Sequence, residues 1–354
     1  MSASVSLVSG RHDVSADVVE FTDFANAAGW GDGLPLVPPT EERVAAFIAA
    51  TGADAAEVVV DKLPPSGGVC TIEKIAVNAV MAGAPAASLP LLAASLRAMA
   101  HTDFELHALN ATTGSVVPML FVNGPIRDAL SIPYESGCLG GVAGPAPAIG
   151  RAIRLVMRNV AGQQIGVTSQ STFGQPGRVA GIVCGEWEER SPWAPLAERR
   201  GVPGDAVTVH GAMGTLNVCD VITKSGIGFL EIIARSMAVP GANGFLTASA
   251  YSEVMVLVNP VWASVIGRDF PDIDEVIDIL WKRASLPLSD WPEEYHPHIA
   301  ELGRVRDDGR VRLVQDPSQI LFAVAGGLGS LHATVIHNWG ATTAITAPVT
   351  PFGK

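Results

Sequence analysis

With 354 residues, 48% hydrophobic and only 16% charged, the chain is too apolar for a disordered or solvating protein and long enough for two units or one large duplicated unit. Its 37 glycines and 25 prolines lie near ordinary usage, which excludes collagen-like and low-complexity architectures. A net charge of −12, with the 23 basic residues scattered, excludes nucleic acid and anionic membrane surfaces as partners; any anionic ligand must be held by helix N-termini and a few Lys or Arg.

Met1 to Gly10 is polar and small, without the basic start and apolar core of a secretory signal, so a cytoplasmic location is expected. A first helix is predicted from Ser15, as N-cap, to Ala28, with Val18, Phe21 and Ala25 on one stripe. Trp30-Gly-Asp-Gly-Leu-Pro-Leu-Val-Pro-Pro-Thr40 is then a rigid extended connector, and Thr40 with Glu41 and Glu42 opens a second helix that stops near Gly52. After a strand at Val58 to Val60, helical spacing covers Ile72 to Met81 and Leu89 to Ala100. The apolar stretch from Ile75 to Ala100 is broken by Asn78, Pro85, Pro90 and Arg97, so it reads as two buried helices and not as a membrane span. Glu105 to Ala111 and Val116 to Val122 read as strands, the second suited to a sheet covered on both faces.

Val254 to Val258, closed by Asn259-Pro260, repeats the ending of the strand that runs into Asn123-Gly-Pro. The two asparagines are 259 − 123 = 136 residues apart, and each strand follows an Ala/Leu-rich helix. Gln319 to Ala325 is a third apolar strand. The expected fold is therefore α/β, with duplicated helix, strand, Asn/Pro turn, helix halves around mixed sheets and an N-terminal helical segment. The domain boundaries that follow are 1–62 for the N-terminal helices and connector, 63–200 for the first half and 201–354 for the second. Low surface charge further predicts a homo-oligomer with an apolar interface.

The four cysteines, Cys70, Cys138, Cys184 and Cys219, form no CxxC or Cys/His cluster, so reduced thiols are expected and a zinc site is not. Cys70 stands just before a helix start, where free N–H groups favour a thiolate; Lys74 adds positive charge and Glu73 a proton acceptor. Two glycine turns suit anion binding: Gly137 to Gly144, with Gly140, Gly141 and the following Arg151, and Gly326, Gly327 and Gly329 before His332, an acid/base candidate at a strand-to-helix turn. Asn78 and Asn123 complete the candidate ligand contacts. Glu186, with Glu188 and Glu189, is expected in a solvated acidic loop.

The chain resembles a bacterial protein family that shares a WGDGLPxVPPTxERV motif, here Trp30 to Val44, a TxEKxAxNAVMAG helix, here Thr71 to Gly83, a VNGPIR strand end, Val122 to Arg127, and an SPW element, Ser191 to Trp193. The similarity spans Gly29 to about Gly340. It implies a link to small thiol or selenol proteins of the UGSC type, beside which such proteins are often encoded. Two positions depart from the pattern: Gln175 stands where relatives have a histidine before Pro-Gly, and Pro260-Val-Trp262-Ala stands for Pro-Glu-His-Ala.

Three functions fit these residues. The first is an enzyme acting on a small, anionic organic metabolite between the halves, a lyase or thiol-linked oxidoreductase with Cys70, Glu73, Lys74 and His332 as its catalytic groups. The second is a ligand-presenting subunit of a two-component thiol or selenol enzyme. The third is a metal-dependent lyase or hydrolase using His210, His332 and Glu186. No nucleotide fingerprint or metal box identifies a cofactor.

Overall fold

The computed structural model describes residues 5–246, 251–340 and 342–353, so Met1 to Ser4 of the N-terminal stretch lie outside it. Helix α1, Val18–Ala27, starts behind Asp17, whose carboxylate accepts from the amides of Val19 and Glu20; Ser15 instead accepts from Asp17. Thr40 caps α2, Glu41–Ala49, by accepting from the Arg43 amide at 3.3 Å, as a threonine before two glutamates should. Strands β1, Val58–Leu63, and β2, Gly68–Thr71, form a small antiparallel ribbon. Thr71 then caps α3, Ile72–Ala82, which Gly83 ends in the left-handed conformation at φ 76°. Helix α4, Leu89–Met99, is buried except at Arg97.

Where a strand was expected over Glu105 to Ala111, the chain forms the short helix α5, Leu106–Ala111. Leu106, Leu109 and Asn110 have helical spacing and are the residues buried there. Strand β3, Val117–Asn123, is buried at every position and leads into α6, Pro125–Ala129, and α7, Ala146–Asn159. There follow α8, Gly177–Ala180, β4, Ile182–Gly185, and α9, Leu196–Arg199. Strands β5, Ala206–Ala212, and β6, Leu216–Cys219, precede α10, Gly226–Met237, which comes before β7, Val254–Val258. Asn259 caps α11, Pro260–Asp269, and α12 covers Ile273–Arg283. A second ribbon pairs β8, Ser285–Pro287, with β9, Arg310–Arg312; β10 is Ile320–Val324, β11 His332–His337 and β12 Ile345–Pro348. His332 thus opens a strand and not a helix.

The chain is an α/β protein in which the described residues form two four-stranded mixed sheets of the same plan. In the first, β3 runs parallel to β4 and antiparallel to β5, and β12 closes the edge beside β5. In the second, β7 runs parallel to β10 and antiparallel to β11, and β6 closes the edge beside β11. The edge strands are exchanged: β6 follows β5 in the chain but completes the second sheet, and β12 follows β11 but completes the first. Residues 206–212, assigned to the second half on sequence, therefore lie in the first sheet. The sheets are stitched where β5 and β11 end: Met213 donates to the His337 carbonyl at 2.9 Å and Trp339 to the Gly211 carbonyl at 3.0 Å.

Strand alternation sorts the side chains into layers. Met119, Phe121 and Cys184 of the first sheet meet Met255, Leu257, Leu321 and Ala323 of the second in a core between the sheets. Leu120, Val122, Val207 and Val209 face outward against α3, α4 and α7; Val254, Val256, Phe322 and Val335 face outward against α10, α11 and α12. The order is helices, sheet, sheet, helices. Among the described residues no helix is long and apolar enough to cross a membrane.

Candidate functional site

A cavity of about 770 Å³ lies outside the first helical layer, between α1, α2, α3 and the N-terminal residues 7–16. Its walls bring together the two longest motifs of the sequence: Trp30, Pro38, Pro39 and Thr40 from the connector, and Glu73, Lys74, Val77, Asn78 and Met81 from α3. That volume is in the range of pockets for small organic ligands. Phe21, Val44 and Val160 add apolar surface, and His12 packs edge-on against Trp30.

The polar groups of this cavity are unevenly engaged. Glu73 is 2% exposed and accepts from the amides of Val8, at 3.0 Å, and Ser9, at 2.8 Å. Burial alone would raise its pKa; the two amides outweigh that and hold it below the usual range. Arg11 pairs with Glu41 across the rim. The Lys74 ammonium donates to the Val69 carbonyl at 2.6 Å and, among the described residues, pairs with no carboxylate. Asn78 donates to the Lys74 carbonyl and accepts from Asn159, both at 2.8 Å.

Cys70 does not join this group. Its thiol is fully buried in the core beneath α3, and burial pushes its pKa up to about 12, with Lys74 offsetting only part of the shift. The free amides at the start of α3 do not activate it, because the thiol points into the core and Thr71 is the capping residue. Arg151 is likewise engaged away from the cavity. From α7 it holds the connector, donating to both Asp32 oxygens at 2.7 and 2.8 Å and to the carbonyls of Pro35 and Leu34. Both partners are 12% exposed. Arg151→Met should cost about 3 kcal/mol in denaturant unfolding, because it strands the Asp32 carboxylate, and adding Asp32→Asn should recover part of that loss.

A second polar cluster closes the seam where the two sheets meet, at the C-terminal ends of β3, β4, β7 and β10, the position at which open α/β sheets bind ligands. Trp187 donates to the Val324 carbonyl and Gly326 to the Tyr134 carbonyl, so the chain after β4 and the turn after β10 interlock. Gly326 has φ 100°, and the neighbouring Gly327 touches Ser136 so closely that a Cβ would collide with its hydroxyl. The structure thus brings Gly326 and Gly327 beside the segment that leads into the Gly140, Gly141 loop. Gly329 and His332 lie on the exposed side of the turn, with the His332 carbonyl accepting from Asn259 at 2.7 Å. Cys70 sits in the core on the outer, helical side of the first sheet and His332 at the exposed start of β11, an inner strand of the second, so one composite site does not form.

At the centre of the seam is Glu186, 1% exposed, where a solvated loop was expected. It accepts from the Asn123 side chain at 2.7 Å and from the Leu196 amide at 2.8 Å; burial outweighs both and raises its pKa to about 7. Asn123 also donates to Glu188, and its side-chain oxygen is buried with no partner among the described residues. Asn259, its counterpart in the second sheet, instead caps α11 through the Trp262 amide. Buried Arg127 is held by Asp128, Glu189 and the Glu186 carbonyl, with its guanidinium 4.0 Å from the centre of the Tyr134 ring.

Two residues before Glu186, Cys184 packs in the core between the sheets together with Cys138 of the glycine loop. The neighbouring Cys184 thiol, with the amides of Leu139 and Gly326, lowers the Cys138 pKa against the opposing effect of burial, while the Cys184 pKa is driven up by Cys138 and by burial. Neither cysteine stands out in the sequence, because the 45 residues between them hide their proximity.

His210 belongs to a third buried group, at the stitch between the sheets. Among the described residues both His210 ring nitrogens are without hydrogen-bond partners; burial lowers the pKa of His210 to about 3 and that of His337 to about 4, the latter against the opposing effect of the Met237 backbone. Glu253, nearby in the same stitch, has a pKa raised to about 7 by burial. Among the described residues no group of three or more His, Cys, Asp or Glu is arranged to hold a metal ion, so His210, His332 and Glu186 do not assemble as one ligand set. No protein-family model matches the chain, and no curated protein sequence matches it.

Proposed function

We propose that the protein binds a small organic metabolite in the cavity beneath its N-terminal segment, as the ligand-presenting member of a two-component system. The observation that carries this is the cavity itself, about 770 Å³, walled by apolar side chains and by Lys74, whose ammonium pairs with no carboxylate among the described residues. The ligand class that fits is a compound with an apolar body and a single acceptor head, a carboxylate being the simplest. Catalysis in the same cavity has less support: Glu73 is occupied by two backbone amides and the Cys70 thiol is buried with a pKa near 12. A separate thiol or selenol protein would then supply the chemistry.

A cytoplasmic homo-oligomer stays part of this proposal; Phe173, 95% exposed, with Ile165 and Val167 on the same loop, offers apolar surface to a second copy. The matching plan of the two sheets supports descent from one duplicated unit.

Octanoate and octanol, titrated calorimetrically into the full chain, test the binding site. Both should bind saturably, and Val77→Trp should abolish both by filling the cavity. Lys74→Met should weaken octanoate about tenfold, the loss of one charge-assisted contact, and leave octanol unchanged. Absence of saturable binding, or insensitivity to Val77→Trp, would overturn the assignment.

A further inference from the structure

We propose that residues 5–16 form a hinged strap over the cavity, clasped shut by the Glu73 carboxylate, and that the cavity loads and empties when this clasp opens. The inference rests on the cavity being the binding site and adds how access to it is governed. Leu7 and the run from Ser9 to Ala16 wall the cavity; without them Phe21, Trp30, Val44, Val77 and Met81 would border an open trough. The strap contains no helix or strand, and among the described residues none of its backbone groups bonds to the backbone of the rest of the chain. Its hold on the body is concentrated at one point. Glu73, itself buried, takes the amides of both Val8, at 3.0 Å, and Ser9, at 2.8 Å. An ionised acceptor shielded from water makes these bonds stronger than ordinary ones.

Elsewhere the grip is light. Arg11 meets Glu41 on the rim with both side chains more than half exposed, a pairing worth little. Val5, Leu7 and Val14 rest half-buried on the core, and His12 lies edge-on to Trp30 with ring centres 4.9 Å apart. Ordering a segment without backbone pairing costs conformational entropy with few bonds to offset it, which places the strap among elements that open while the rest stays folded. The turning point is Ser15 to Asp17. Asp17 caps α1 and Ser15 accepts from Asp17, so α1 keeps its cap when the strap lifts. A ligand body in the cavity lies against Leu7, His12 and Val14, contacts that exist only with the strap down, so loading favours the closed state. Release then waits on the clasp.

Hydrogen exchange of the full chain, read by mass spectrometry on the peptide covering residues 7–16, follows the strap without any ligand. In the parent this peptide should exchange more slowly than a free peptide and faster than β3. Val8→Pro removes one donor at a position whose side chain is 80% exposed, and Glu73→Ala removes the acceptor. Each should speed exchange of the strap about tenfold, the loss of one or more charge-assisted bonds, and leave β3 and α7 unchanged. If Glu73→Ala does not fold, Val8→Pro carries the test from the surface. Saturating octanoate should slow strap exchange in the parent. Its dissociation rate, followed by stopped-flow tryptophan fluorescence, should rise about tenfold in Val8→Pro. Because the strap's opening is measured without ligand, a cavity that takes up no octanoate is told apart from a strap that does not open. Strap exchange in the parent as fast as in a free peptide, as slow as in β3, or unchanged by the variants would overturn the proposal, as would an unaltered dissociation rate.

Discussion

Replacing Gly150 with alanine is expected to destabilise the protein by about 3 kcal/mol or more, although the same change inside an ordinary helix gains about 1 kcal/mol from propensity. Gly150 lies in the middle of α7, where the helix crosses the turn between α8 and β4. A Cβ built there would meet the Ala180 carbonyl oxygen at 2.2 Å and the Gly181 Cα at 3.0 Å. Both are backbone atoms, so no side chain can rotate away. Gly181 faces back at φ 68°, a conformation that alanine would also resist. Relief requires α7 to lift away from β4, and α7 carries Arg151 and its hold on the connector. Urea unfolding of Gly150→Ala decides the sign: a midpoint equal to or above that of the parent would show that propensity outweighs packing.

The second large effect is on the pH dependence of stability, and it appears only when opposing groups are separated. Glu186 and Glu253 have folded pKa values near 7 against an ordinary value of 4.5, so the folded state keeps protons that the unfolded state releases. Each therefore lowers stability as pH rises from 4.5 to about 7. His210 and His337 have folded values near 3 and 4 against 6.5, so the unfolded state takes up protons that the folded state refuses. Each raises stability as pH rises towards 6.5.

Two groups of each kind cancel, and the parent should show a nearly flat profile between pH 4.5 and 6.5. Below 4.5 stability should fall steeply, because the histidines continue alone and are joined by Asp32 and Glu73, whose lowered values are lost on protonation. Glu186→Gln keeps an acceptor for Asn123 and Leu196 but removes one titration. Its stability should rise by about 3 kcal/mol across the same interval, one proton over two pH units. Urea midpoints from pH 4.5 to 8 measure this, and a variant profile parallel to that of the parent would show that Glu186 is ionised throughout.

Much of the scaffold was legible because local chemistry and tertiary packing agree there. Thr40 caps its helix, α3 and α4 follow their helical spacing, and β3 and β7 are continuous apolar runs buried on both faces. The errors lie where a short segment satisfies two patterns. Leu106 to Ala111 has apolar residues at both helical and alternating spacing, and β11 begins straight after a glycine turn of the sort that also opens helices. In β11 the run Ala333-Thr-Val-Ile336, rich in β-branched residues, was the overlooked signal.

The candidate site was less legible, since its members meet only through the fold. Lys74 and Asn78 stand out in the sequence, but the N-terminal residues that complete their cavity do not. Glu186 groups by sequence with its acidic neighbours, although its spacing from Cys184 places it on the inward face of a strand. The packing of Cys138 near Cys184 depends on a loop closing over a strand end, which neither residue's neighbours announce.

The exchange of edge strands gives the two sheets different positions in time. While the chain emerges during synthesis, the first sheet already holds β3, β4 and β5 by residue 212, yet its open edge beside β5 waits for residues 345–348. The second sheet receives β6 early and must later build the rest beside it. Neither sheet can therefore finish as an independent unit, and the two halves should unfold in one transition and not in two. A chain stopped before residue 345 would lose the edge of its earliest sheet, leaving the unpaired backbone of β5 free to recruit a strand from another molecule.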